Sequence, residues 1–238
     1  MSDFLLVHGS CHGAWCWRDV IPALTAQGHS AHAIDLPGQG ADKTPVQDIT
    51  LELYAQAILN ALDGPTVVVG HSMAGYPISL AAERAPDRIS RLIYLCAYVP
   101  ADGLSLAQRR RQAPYQPLLP AIEKTADGLA FTVRPDMAQQ VFYHDCPPDT
   151  VAYAKARLGP QAIRPQETPV SLGANYASVP RSYIRCTQDR TVPPEFQRSM
   201  ASDWPSPDVT EMPTSHSPFF SAPDDLARRL SDIARTTP

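Results

Sequence analysis

No apolar stretch in the 238-residue sequence approaches the roughly 20 residues that a membrane-spanning helix requires, so no membrane partner is expected. A dense basic stripe is missing as well. The 20 Lys and Arg stand against 24 Asp and Glu, for a formal charge of −4 at neutral pH, too few clustered cations to neutralise a series of phosphates; nucleic acid is excluded as a partner. Cysteine is sparse: Cys11, Cys16, Cys96, Cys146 and Cys186 make an odd number with no CxxC pair, which argues against both a disulfide framework and a zinc site. Reduced, mostly buried thiols of a cytoplasmic protein are expected, although Cys11 and Cys16 are close enough along the chain for a bridge. The amino terminus lacks a positively charged segment ahead of Phe4-Leu5-Leu6-Val7, so it reads as a first strand rather than a signal peptide. There is no internal repeat. Proline, by contrast, is abundant, at 25 residues where average composition gives about 12. Its clusters at Pro114/Pro117/Pro120, Pro147-Pro148 and Pro205/Pro207 read as rigid connectors.

A chain of this length buries roughly 70% of its unfolded surface around one main core. Six short apolar runs, at residues 3–8, 29–35, 66–70, 89–95, 181–186 and 209–212, read as strands. Helix-like patterns fall between or after them at 15–27, 51–63, 76–83, 194–200 and 224–235. Such alternation predicts a parallel sheet covered by helices on both faces. Gly28 closes the first helix in the position that favours a left-handed backbone, and Pro86 follows the third. From 99 to 179 the alternation fails. A structureless loop of that length does not fit a compact domain, so helices are expected there at 107–112, 136–142 and 148–158. The division that follows is a core of residues 1–99 and 180–238 with an inserted helical cap of residues 100–179 over the carboxyl edge of the sheet.

Chemistry concentrates at Gly70-His71-Ser72-Met73-Ala74-Gly75, directly after the β-branched run Thr66 to Val69. A serine hydroxyl is a poor nucleophile until it is exposed on a tight turn and paired with a base. Ser72 falls between a strand and a helix, with small neighbours that let the two approach. Ala74 stands where the pattern G-x-S-x-G has its second glycine, a departure of one methyl group. The competing reading is a serine that caps the following helix.

Of seven histidines, His216 is the candidate base, because it lies in a loop leaving the carboxyl end of the last strand and shares that sheet edge with Ser72. His71 is expected to point away from the nucleophile, and His8, His29 and His32 to be structural. Asp189 follows the strand at 181–186 and is the candidate acid that orients His216; Asp203 and Asp208 are the runners-up. Two backbone N–H donors are needed for an oxyanion. Met73 supplies one at the start of the helix, and Ser10 the other, in a loop where Gly9 permits close approach. His12, Trp15, Phe142, Tyr143 and Phe219 are candidates for the substrate pocket, joined by Phe220, while Trp17 reads as core. Arg109-Arg110-Arg111 reads either as a solvated helix face or as a site for an acidic substrate, and His144 is a secondary substrate-side candidate.

Residues 4–17, running through His8-Gly9-Ser10 to Trp15-Cys16-Trp17, closely resemble the amino-terminal signature of the plant methylesterase and hydroxynitrile lyase branch of the α/β-hydrolases. Residues 183–189 with 194–198 are similar to that branch around its acid, as are Gly70 to Gly75, His216 and, less fully, residues 141–146. The order Ser72, Asp189, His216 is that of the superfamily. The resemblance implies an α/β-hydrolase fold with a mostly parallel six-stranded sheet, a small helical cap, no cofactor and a small-molecule ester as substrate. The lyases of the branch have a threonine where this chain has Gly9 and a lysine where it has Ser217; the esterases commonly have an alanine where it has Ser10. A serine carboxylic-ester hydrolase is therefore expected, acting on methyl or aryl esters of small hydrophobic acids. The alternatives are a hydroxynitrile lyase and a slow-turnover ligand-binding relative of the same fold. Oligomeric state is open, a homodimer included.

Overall fold

The computed structural model describes residues 1–236. In chain order its strands are β1 (Asp3–Val7), β2 (Ser30–Ile34), β3 (Thr66–His71), β4 (Ile89–Leu95), β5 (Ile122–Lys124), β6 (Ala130–Val133), β7 (Gln161–Ala162), β8 (Arg181–Cys186) and β9 (Val209–Met212). Its α-helices are α1 (Val20–Ala26), α2 (Leu51–Asn60), α3 (Gly75–Arg84), α4 (Leu106–Arg110), α5 (Ala138–Phe142), α6 (Pro148–Lys155), α7 (Arg164–Glu167), α8 (Ala174–Ser178), α9 (Pro194–Met200), α10 (Pro218–Ser221) and α11 (Pro223–Arg235). The six strands predicted from apolar runs form one sheet in the order β2-β1-β3-β4-β8-β9, every pairing parallel.

Strand periodicity divides the buried side chains between two cores. Leu5, Val7, Val68, Leu92, Tyr94 and Tyr183 face one side, packed with residues of α2 and α3; Phe4, Leu6, Val67, Val69, Ile93, Leu95 and Ile184 face the other, packed with α1 and α11. Helices on both faces explain why these strands read as continuous apolar runs. From β1 the chain moves outward to β2 and then returns past β1 to β3 and β4. The loops after β1 and β3 therefore diverge from adjacent strands, which opens a crevice at their carboxyl ends.

Two departures from the expected elements bear on the site. The first helix does not span 15–27: Ala14–Trp17 is a separate 3₁₀ turn ahead of α1. The Asp35 carboxylate accepts a hydrogen bond from the Ala14 backbone at 2.6 Å, pinning that turn to the end of β2. Between 100 and 179 the chain forms not only helices but also a three-stranded antiparallel sheet, β5-β6-β7. Its hairpin turns at Thr125 to Gly128, where Gly128 has φ +71° and Asp127 accepts from Thr125 Oγ1 and the Leu129 N–H. The Asp127-Gly128 pair was the sequence signal for it. All five cysteines are free, Cys11 and Cys16 included. No helix among the described residues is long and apolar enough to cross a membrane.

Candidate active site

Ser72 stands directly beyond β3 with φ +55°, one of three described non-glycine residues with a positive φ. A left-handed backbone costs an L-residue roughly 1–2 kcal/mol, and here the surroundings enforce it. A Cβ on Gly70 would lie 2.6 Å from Ile78 Cδ1, and one on Gly75 would lie 2.1 Å from the Tyr98 carbonyl oxygen. The Tyr98 N–H in turn donates to the Ser72 carbonyl at 3.0 Å, tying the turn to the segment after β4. Ala74 has φ −62° and ψ −13°. That is right-handed helical backbone, so the position does not require glycine, and the close approach falls on Gly75 instead.

Asp189 and His216 come from the loops after β8 and β9. His216 Nδ1 donates to Asp189 Oδ2 at 2.7 Å, with His216 1% and Asp189 5% exposed. Gln197 Nε2 donates to the same carboxylate oxygen at 2.8 Å, while the Thr191 and Val192 N–H groups donate to Oδ1 at 2.6 and 3.0 Å. With Nδ1 protonated, a neutral His216 keeps its lone pair on Nε2, the atom that can take a proton. The runners-up for the acid lie elsewhere: Asp208 pairs with Arg91 at 3.0 Å, and Asp203 is exposed.

His71 does not point away. Its ring lies 4.5 Å from that of His216, centroid to centroid. The acceptor of its Nε2–H is the His216 backbone carbonyl, at 2.8 Å, and Nδ1 is buried without a hydrogen-bond partner. Burial, reinforced by the neighbouring His216 and His12, holds its pKa well below the ordinary histidine value. His71 is thus a neutral donor that fastens the loop carrying His216. Ligand atoms of His71, Cys96 and His216 lie within 4.8 Å of one another, yet they do not make a metal centre. The Cys96 thiol, its pKa raised by burial, donates to the same His216 carbonyl, and His216 Nδ1 is committed to Asp189.

Beyond β1, a Cβ on Gly9 would meet Ser72 Cβ at 2.9 Å and His71 Nδ1 at 2.7 Å. Only glycine brings Ser10 this close to the turn at Ser72. The Ser10 carbonyl accepts from His12 Nδ1 at 2.8 Å, and Ser10 Oγ accepts from Gln166 Nε2 at 2.9 Å. Since His12 Nδ1 carries its proton, Nε2 accepts from the Tyr143 hydroxyl at 2.7 Å. Burial pushes the His12 pKa down to about 3 and that of His8 to about 4. His8 is structural, accepting from the Leu36 N–H at 3.0 Å and bonding the Gly9 carbonyl. Met73 is second in the 3₁₀ turn Ser72–Ala74, where N–H groups have no acceptor within the turn.

One narrow cavity collects these groups. Ser10, His12, His71, Ser72, Met73, Thr191 and His216 line it together with Tyr98, Leu106, Arg110, Leu118, Phe131, Phe142 and Gln166. Its free volume is small, about 20 Å³. Of the expected pocket residues, His12 and Phe142 line it, whereas Trp15, Tyr143 and Phe219 lie behind its wall. Trp15 stacks on the His12 ring at 5.3 Å, Tyr143 is wholly buried with its hydroxyl on His12, and Phe219 packs between Trp17 and His71. Their aromatic character reflects packing beneath the site. His144 binds the Gln188 carbonyl instead of facing the cavity. Arg110 was offered only within the run of three arginines and Gln197 only within the segment similar to the family around its acid, while Gln166 and Thr191 were not singled out, because their type and spacing match no motif.

The alpha/beta hydrolase family model matches residues 4–229. The chain is 33% identical to Esterase PIR7B of Oryza sativa subsp. japonica, covering 98% of this chain and 96% of the relative. It is 32% identical to Methylesterase 7 of Arabidopsis thaliana, with the same coverage of each. A crystal structure of a pyrethroid hydrolase from Sphingobium faniae JZ-2 superposes with a TM-score of 0.88 at 29% identity, covering 99% of this chain and 98% of that one. The chain belongs to the alpha/beta hydrolase family, as a relative of its methylesterases, and is a carboxylesterase-type hydrolase.

Proposed function

We propose that the protein hydrolyses carboxylic esters by a Ser72, His216 and Asp189 triad through an acyl-enzyme. The observation that carries this reading is the strained Ser72 backbone in the same buried cavity as a His216 ring whose tautomer is set by Asp189 at 2.7 Å. Ser72 Oγ attacks the ester carbonyl while His216 Nε2 takes its proton. The N–H groups of Ser10 and Met73 stabilise the developing oxyanion. His216 then returns the proton to the departing alkoxide, and the alcohol leaves the acyl-enzyme. Water attacks next, with His216 again as the base, and releases the acid.

Residues 100–179 act as a cap on the core of 1–99 and 180–238, since Leu106, Leu118, Phe131 and Phe142 place apolar surface over Ser72. That lining favours small hydrophobic acyl groups. Methyl or aryl esters agree with the names of the methylesterase and pyrethroid hydrolase relatives. Gly9 offers no hydroxyl and Ser217 no cation to hold departing cyanide, which favours ester hydrolysis over cyanohydrin cleavage. Ser72→Ala should lower kcat/KM on a methyl or aryl ester by about 10³-fold or more without moving the melting temperature. Hydrolysis by the folded variant at the parent's rate would remove Ser72 as nucleophile.

A further inference from the structure

The three consecutive arginines separate in the structure. Arg109 is tied down by the Val99 carbonyl at 3.1 Å and Gln112 at 2.6 Å, and Arg111 is exposed. Arg110, the last residue of α4, lines the Ser72 cavity and also borders two further cavities. Its Nε is buried and has no hydrogen-bond partner. No carboxylate among the described residues forms an ion pair with it, Glu167 on the rim of one adjoining cavity included.

A buried, unsatisfied guanidinium N–H is costly unless something else completes it. Nothing in the fold does, and the group opens onto the space where substrate must lie. Leu106, Leu118, Phe131 and Phe142 give the cavity shared by Arg110 and Ser72 an apolar lining. A ligand that satisfies both ends has a carbonyl at Ser72, a short apolar arm and an anionic acceptor at Arg110. A carboxylate matches the planar fork of the guanidinium and would complete the buried Nε–H.

We propose that Arg110 determines specificity and that the preferred substrates are monomethyl esters of short dicarboxylic acids, whose free carboxylate it binds. This rests on the hydrolase reading above. Hydrolysis consumes water, breaks the acyl–oxygen bond and releases methanol and the dicarboxylate.

The test compares kcat/KM for monomethyl succinate, glutarate and adipate with that for neutral methyl esters of monoacids of matching length. It uses the parent, Arg110→Met and Arg110→Lys, each with a melting temperature matching the parent's. The parent should favour one monomethyl ester, with an advantage that shrinks as salt is added. Arg110→Met should lower the ratio of charged to neutral substrate by about 10- to 100-fold, through KM, and Arg110→Lys should recover part of it. An unchanged ratio in Arg110→Met, or an equal loss on both substrates, overturns the role of Arg110 alone. If the parent cleaves neither class of ester faster than Ser72→Ala does, the hydrolase reading falls, and this assignment with it.

Discussion

The Tyr143 hydroxyl, His12 and the Ser10 carbonyl form a chain of hydrogen bonds running from behind the cavity wall to the proposed oxyanion donor Ser10. Each link has a fixed direction, because a carbonyl only accepts and a neutral imidazole donates through one nitrogen only. Tyr143 therefore acts on the reaction through His12 without touching substrate. In Tyr143→Phe the buried Nε2 of His12 loses its donor and the Ser10 loop loses a constraint. Outright removal of an oxyanion donor costs about 10²–10³ in kcat, so indirect loosening should lower kcat by about tenfold and leave KM nearly unchanged. Steady-state kinetics on a methyl ester check this; a change confined to KM would place Tyr143 among substrate contacts instead. Ser72, Asp189 and His216 were legible as candidates at this scale, since their residue types and chain order narrow the chemistry. The partners that fix them were not. Gln197 on Asp189 and Gln166 on Ser10 are ordinary glutamines until the fold brings them across 8 and 156 residues of chain.

At the scale of elements, the strand, turn and helix around Ser72 show which departure from a motif matters. Ala74 occupies ordinary helical backbone, whereas Gly75 faces the Tyr98 carbonyl with no room for a side chain. Gly75→Ala must push α3 away from the segment after β4 or open the turn at Ser72. Overpacking against backbone costs about 3 kcal/mol, which for a chain of this size lowers the melting temperature by about 6–12 °C. Calorimetry would measure it, and hydrolysis should fall as well because the turn carries the nucleophile. A melting temperature within 2 °C of the parent's, roughly the shift from half a kcal/mol, would show that the close approach relaxes freely. Strands buried on both faces were legible because apolar runs bounded by breakers leave few alternatives. The short strands β5 to β7 were missed: with two to four residues each, they are too short for periodicity to register.

Across the whole molecule, three buried histidines couple stability to pH. The pKa values of His8 and His12 are held at about 4 and about 3, and that of His71 well below its ordinary value, in each case chiefly by burial. An unfolded chain restores values near 6.5. Below that pH the unfolded state binds more protons than the native one, so stability is complete above about 6.5 and is lost as pH falls. Each site removes about 1.4 kcal/mol per pH unit, and the three together about 4 kcal/mol per unit. The contribution of His8 levels off near pH 4 and that of His12 near pH 3. Urea midpoints measured from pH 7.5 to 4.5 should fall with growing slope below pH 6.5; a flat series would mean that these rings are protonated in the native state or exposed to water.

By itself the sequence determined the parallel sheet, the chain order of the candidate residues Ser72, Asp189 and His216, and the glycine that admits Ser10, because these depend on local periodicity, breakers and residue chemistry. Only the tertiary structure decided which aromatics line the cavity and which support it from behind, that His71 holds the base loop, and that one arginine of three enters the site. Those outcomes depend on side-chain directions and on contacts between distant segments, and identical residue types satisfy the local pattern equally well whichever way they turn.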